Sequence, residues 1–273
     1  MNPLLRTALA AAEAAAAVQR RDAARRGAGA GQASVREKGR ADYVSSTDIE
    51  AQEAALAVIR ADHADHAILA EENDESVASQ LARWDGRPLW IVDPLDGTTN
   101  FLHEHPFHCA SVAVAVDGRP VAGAVVSGSS EERWWAAEGE GAFKDGGRIR
   151  VSERARLADA LVGTGFPFKH LDHMPRYLGQ LDRVLRSSAG VRRAGSAALD
   201  FCFLAQGSLD AFWEETLMPW DFAAGIVLVG EAGGLMTGAD GKELRIAPGP
   251  VRGANRAELM EELRLLLGDA PRE

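Results

Sequence analysis

Between Cys109 and Ser152 the chain spells one antiparallel strand after another. CASVAVAV runs into Asp117-Gly118 and returns as PVAGAVV, an apolar pair joined by a turn of the kind that closes a hairpin. ERWWAAEGEGAFKDGGRIRVS continues the meander through two more glycine-marked turns. Helical patterns stand on both sides of it. The opening stretch, MNPLLRTALAAAEAAAAVQRR, reads as an alanine-rich amphipathic helix; Glu13 interrupts its apolar part and no charged segment precedes it, unlike a signal peptide.

GAGAGQ (27–32) predicts a flexible connection. Thr47-Asp48-Ile49-Glu50 then fits a capping box, with Thr47 as N-cap and Glu50 reaching back, before Ile49, Leu56 and Ile59 recur at helical spacing. Two short apolar runs, 67–70 and 89–92, predict strands that stop at Glu71-Glu72 and at Asp93. LVGTGF (161–166) predicts another strand, and Leu178, Leu181 and Leu185 mark a helix over 174–185.

The last third alternates. GSAALDFCFLAQG predicts a helix, LDAFWEE a strand, and WDFAAGIVLVGEAGG a helix ending at Gly233-Gly234. GLMTGADGKEL predicts a hairpin, and Leu259, Leu263 and Leu266 place a closing helix. Strands and helices mixed in this way fit a layered α+β or α/β sandwich. No repeat or linker divides the 273 residues, so one domain is expected over 1–273, with halves of roughly 1–150 and 151–273 packed together.

Composition narrows the partners. Net charge is −10, yet residues 1–40 carry eight Arg/Lys against three acids, so the remainder is about fifteen units negative. No basic stripe suits nucleic acid apart from the cluster Arg20–Arg26, which reads as the solvated end of the first helix. Cys109 and Cys202 each lie in apolar segments without a CxxC, as expected of buried free thiols in a reducing compartment. No run reaches the ~18 apolar residues of a membrane span. A cytoplasmic protein with no membrane partner is expected.

Chemistry concentrates in acids placed where elements begin or end: Asp48, Glu71, Asp93 and Asp221. Strand ends on one edge of a sheet converge on one cleft. Clustered carboxylates stay ionised only beside a cation, and their hard oxygens suit Mg2+ or Mn2+. WIVDPLDGTTNF (90–101) adds Asp96 and then Gly97-Thr98-Thr99-Asn100, a sequence suited to opening a helix. The plainer reading of Asp93 and Asp96 is a Pro-Asx turn, and of Asp48 and Asp221 a favourable charge in a helix's first turn. A helix N-terminus beside metal-held carboxylates is a phosphate site, so metal-assisted phosphate-ester hydrolysis follows from the chemistry.

Asp93-Pro94-Leu95-Asp96-Gly97-Thr98-Thr99-Asn100 resembles the signature of the inositol monophosphatase family, Mg2+-dependent and lithium-sensitive phosphatases. Trp220-Asp221-Phe222-Ala223-Ala224-Gly225, leading to Glu231-Ala232-Gly233-Gly234, is similar to the family's second signature. Glu71-Glu72 matches its paired glutamates with Ala70 in place of a glycine, and Gly195-Ser196-Ala197-Ala198 its substrate loop. The resemblance spans residues 4–267 or so. It implies an α-β-α-β-α sandwich of the sugar-phosphatase type and a homodimer.

The resemblance also implies roles. Glu71, Asp93 and the Leu95 carbonyl would hold one ion; Asp93, Asp96 and Asp221 a second; a third would share Glu71. Thr98, oriented by Asp48, would position the attacking water, and the amides of Gly97 and Thr98 would hold phosphate. In such an arrangement one ion lowers the pKa of the water and the other stabilises the leaving alkoxide. Asp96, Gly195, Ser196, Ala197, Glu214 and Asp221 would line the pocket for the alcohol. Lys38, in the loop before Asp48, resembles a residue near a mobile active-site loop. The Thr99-Asn100-Phe101 tail resembles enzymes for inositol 1-phosphate, with histidinol phosphate and fructose 1,6-bisphosphate as alternatives. A regulatory binding protein that keeps the fold is the reading from another class.

Overall fold

Alanine dominates the buried face of the first helix, α1 (Pro3–Gly27): Ala8, Ala11, Ala12, Ala15 and Ala16 are fully enclosed. Side chains this small let α1 lie close against α2 (Ser46–Asp62), where Ala51 and Ala55 are equally enclosed. A two-stranded ribbon, β1 (Val35–Gly39) and β2 (Asp42–Ser45), precedes α2. The computed structural model describes residues 2–27, 34–39, 42–73 and 75–269. Most of the predicted GAGAGQ connection, and the Lys38 side chain, lie outside the described residues; the Lys38 backbone runs in β1 rather than in a loop.

The meander belongs to a seven-stranded sheet in sequence order: β3 (Ala67–Ala70), β4 (Leu89–Asp96), β5 (Cys109–Val116), β6 (Arg119–Ser127), β7 (Arg133–Ala137), β8 (Gly141–Lys144) and β9 (Gly147–Arg148). β3 and β4 are parallel, joined through α3 (Val77–Ala82), and every later pair is antiparallel. Asp117 and Gly118 take φ of 52° and 78° at the β5–β6 turn, the left-handed pair that a tight hairpin requires. A short helix, α4 (Thr98–Leu102), follows β4.

Strand alternation assigns the sheet's two faces. Trp90, Val92, Val112 and Val114 pack with α1 and α2; Leu89, Ile91, Cys109 and Ala113 pack with two later helices. Because both faces are covered, Leu89–Val92 of β4 is an unbroken apolar run and β5 is interrupted only by Ser111.

The second sheet has the order β11-β10-β12-β14-β13, from β10 (Leu161–Thr164), β11 (Gly190–Arg192), β12 (Ala211–Leu217), β13 (Leu235–Thr237) and β14 (Gly249–Ala254). Its outer face, with Val162, Ala211 and Trp213, packs on α5 (Met174–Ser187) and α8 (Ala257–Leu267). Between the sheets lie α6 (Ala197–Ala205) and α7 (Pro219–Glu231). The layers therefore run α1/α2, first sheet, α6/α7, second sheet, α5/α8, the expected α-β-α-β-α sandwich. At Gly123 a Cβ would stand 2.8 Å from the Ala224 backbone, so glycine lets α7 touch β6 directly.

Several local expectations are corrected. The cap of α2 starts two residues earlier than Thr47: Ser45 is the N-cap, and Asp48, not Glu50, reaches back to the Ser45 amide at 2.8 Å. Glu50 instead faces solvent and meets Arg21 at 2.6 Å. On α5 the buried residues are Tyr177, Gln180 and Val184, while Leu178 and Leu185 are exposed. The strand after Gly234 pairs with β14, not within a hairpin ending at Leu244. Arg26 departs from the solvated arginine cluster: its guanidinium lies 3.9 Å from the centre of the Phe101 ring. Cys109 and Cys202 are free and buried, as expected. Among the described residues no helix is long and apolar enough to cross a membrane.

Candidate active site

β4 does not stop at Asp93. It continues through a bulge: Asp93 faces Ser111 and Asp96 faces Cys109, so Pro94 and Leu95 share the place of one residue, Ala110. A proline is tolerated there because a bulge relieves it of a ladder hydrogen bond. The Leu95 amide donates to Asp93 Oδ1 at 3.0 Å, the Asx turn expected of Asp-Pro. At Gly97 φ is +91° and a Cβ would lie 2.9 Å from the Phe107 carbonyl, so only glycine fits.

The bulge delivers two carboxylates into a cleft of about 440 Å³ between the sheets. Oxygens of Asp93, Asp96 and Asp221 all come within 4.8 Å of one another. Glu71, just past β3, lines the same cleft and hydrogen-bonds the Asp93 side chain. Asp96 and Asp221 are each held at the start of a helix. Asp96 Oδ2 accepts from Ser196 Oγ at 2.6 Å and from the Ala198 amide at 2.7 Å, capping α6. Asp221 Oδ2 accepts from the Met218 amide at 2.7 Å, capping α7.

Asp48 lies behind the cleft wall and is fully buried. Its Oδ2 is held by the Ser45 amide and by Ser45 Oγ at 2.5 Å; its Oδ1 accepts from Thr98 Oγ1 at 3.0 Å. The Leu95 carbonyl lies 3.1 Å from the same hydroxyl, as an alternative acceptor for its single proton. Gly97, Thr98, Gly195, Ser196, Ala197 and Glu214 line the cleft together with the acids. Asp48 and Leu95, both given site roles from sequence, do not line it, and both reach it through Thr98. Asn100 ties the bulge to the opposite loop, donating to the Phe107 carbonyl at 2.7 Å and the Ala194 carbonyl at 2.9 Å.

Electrostatics show what this arrangement calls for. Burial, then the charges of Glu71, Asp96 and Asp221, push Asp93 well above the usual carboxylate range. Burial and the Asp96 charge push Asp221 up to about 8, against the Met218 amide that holds it down. Burial raises Asp96 as well, opposed by Ser196, Ala198, Arg193 and Lys169. Asp93, Asp96 and Asp221 all resist ionising side by side, a resistance that cations between them would relieve, so this donor set, with Glu71 beside it, fits Mg2+ or Mn2+. Glu214 is not an exposed strand end: burial and Asp200 push its carboxyl up to about 8, and a Cβ at Gly165 would fall 2.1 Å from it.

Sequence reasoning passed over Lys169, Arg193 and Asp200. All three line the cleft, and Arg193 stacks 5.3 Å and 5.1 Å from the ring centres of Phe166 and Phe168. An aspartate inside the apolar stretch LDFCFLA, and basic residues beside GFPF and Gly195, were the available signals.

The family model described as "Inositol monophosphatase family" matches residues 1–269 of the chain. The chain belongs to the inositol monophosphatase family. It is 39% identical over 262 residues to Nus factor SuhB of Pseudomonas aeruginosa, covering 93% of the chain and 92% of that relative. It is 42% identical over 204 residues to inositol-1-monophosphatase of Rhizobium meliloti, covering 75% of each. The crystal structure of extragenic suppressor protein suhB from Bartonella henselae superposes with a TM-score of 0.88 at 35% identity, over 99% of this chain and 100% of that one. The family thus contains relatives named for an enzyme and relatives named as a Nus factor.

Proposed function

We propose that the cleft is a Mg2+-dependent phosphomonoesterase site whose preferred substrate is inositol 1-phosphate, released as inositol and phosphate. The observation that carries this reading is the meeting of Asp93, Asp96 and Asp221 within 4.8 Å, beside a Thr98 hydroxyl held by a buried Asp48. Glu71, Asp93 and the Leu95 carbonyl would hold one ion, Asp93, Asp96 and Asp221 another, and a third would share Glu71; Mn2+ would substitute and Li+ inhibit. When bound, such ions lower the pKa of water, neutralise phosphoryl oxygens and stabilise a leaving alkoxide.

The protein's own groups do the rest. Asp48 engages the Thr98 proton, which leaves the Thr98 oxygen able to accept a hydrogen bond from water and aim it. The amides of Gly97 and Thr98 are proposed to hold phosphate. With α4 only five residues long, those individual N–H groups matter more than a helix dipole. Glu214 and the loop Gly195-Ser196-Ala197 would receive the alcohol's hydroxyls. A neutral Glu214 both donates and accepts, which suits a polyol.

Arg193 and Lys169 in the same cleft favour a second reading, a substrate with a second anionic group such as fructose 1,6-bisphosphate. Relatives named Nus factor SuhB motivate a third, in which the fold serves as a regulatory binding protein. Phosphate release from inositol 1-phosphate, histidinol phosphate, fructose 1,6-bisphosphate and adenosine 3′,5′-bisphosphate separates them. Release that needs Mg2+ and falls with Li+ is expected; a metal-independent rate would sink the mechanism, and poor turnover on all four would favour the binding protein.

A further inference from the structure

The buried face of α1 is built from alanine, and near its end it carries one fully enclosed amide, Gln19. Both ends of that amide are used. Gln19 Nε2 donates to the Pro94 carbonyl at 2.7 Å, and Gln19 Oε1 lies 2.9 Å from His108 Nδ1. Since Nε2 is the donor toward Pro94, Oε1 is an acceptor, and His108 Nδ1 must carry the proton. Space is reserved for the pair: a Cβ at Gly128 would stand 2.0 Å from Gln19 Oε1 and 2.4 Å from His108 Nδ1.

We propose that Gln19 is a positioning residue for the metal-binding bulge. The reasoning rests on one peptide plane. The Pro94–Leu95 peptide has its oxygen held by Gln19 and its N–H donated to Asp93 Oδ1 at 3.0 Å. Fixing that plane from behind fixes which Asp93 oxygen is occupied by the turn and which faces the cleft. It also sets the direction of the next carbonyl, Leu95, whose oxygen meets Thr98. Gln19 performs this without a charge and without competing for a ligand oxygen. An outer-shell hydrogen bond of this kind sharpens cation affinity by orienting the ligands, typically by about 10- to 100-fold.

The inference rests on the metal-site reading above. Its test is Mn2+ titration of metal-stripped protein by calorimetry, with thermal unfolding measured alongside. Gln19→Leu should weaken Mn2+ binding by about 10- to 100-fold at a temperature where the variant is still folded. Thr7→Val is the control: it removes another hydrogen bond of a buried α1 side chain, Thr7 Oγ1 to Asp62 Oδ2 at 2.7 Å, far along the helix from Gln19. That variant should lose thermal stability and keep the wild-type Kd. If Gln19→Leu does not fold, Gln19→Asn, whose shorter amide cannot span both partners, carries the same expectation. Wild-type Mn2+ affinity in the folded Gln19 variant overturns the proposal, as does an equal loss in Thr7→Val. Wild-type protein that binds no Mn2+ overturns the metal reading itself, and this inference with it.

Discussion

Asp93 shares the cleft with Glu71, Asp96 and Asp221, and, alone of the four, is fully buried. Asparagine at 93 keeps the shape and one acceptor but deletes the charge proposed to serve both ions. Asp93→Asn is therefore expected to lower turnover by more than the roughly 10- to 100-fold typical of outer-shell partners, with circular dichroism unchanged. Wild-type kcat in that variant would remove Asp93 from the metal site. Glu214 makes a pH prediction. Its carboxyl is raised from an ordinary 4.5 to about 8, so the folded protein binds this proton more tightly than the unfolded chain. The resulting stability is fully present below pH 4.5 and is lost as pH climbs through 8. In chelator, Tm should fall between those limits, and Glu214→Gln should flatten part of the fall.

Elements explain which features the sequence disclosed. The β5–β6 hairpin was legible because turn chemistry and alternation are local, whereas the strand expected to stop at Asp93 runs on to Asp96 through a bulge that only pairing with β5 defines. The start of α2 was not legible either: Ser45…Asp48 and Thr47…Glu50 both fit a capping pattern. The first prevails because Asp48 also serves Thr98, 50 residues away. On α5 the spacing of leucines marked a helix but could not say which stripe the second sheet would cover; Tyr177 and Val184 were covered instead. Lys169, Arg193 and Asp200 join the site only through the meeting of separate loops. At this scale Gly123→Val should be costly, since a Cβ there already meets the α7 backbone at 2.8 Å. A loss of about 1–3 kcal/mol, or more if α7 shifts, is expected from chemical denaturation. Wild-type stability would show that α7 and β6 can separate freely.

For the whole molecule, the proposed homodimer has a checkable surface. Leu178 and Leu185 are 54% and 53% exposed on one side of α5. Two-subunit mass by light scattering, reduced in Leu178→Glu, is expected if that side is the subunit contact; an unchanged dimer places the contact elsewhere. The arrangement of the ligands has a different consequence. Of the proposed ligands, Asp93 and Asp96 come from the first sheet and Asp221 from the helix layer between the sheets; Glu214, proposed to meet the alcohol, comes from the second sheet. Asp96 reaches across 102 positions to the Ala198 amide. The set proposed for the second ion draws on both halves of the chain, Asp93 and Asp96 from the first and Asp221 from the last, so a fragment ending near residue 150 should bind fewer cations than the full chain. During refolding, uptake of the second cation should therefore lag behind the return of helical and sheet signals, timing the moment at which the two halves close on each other.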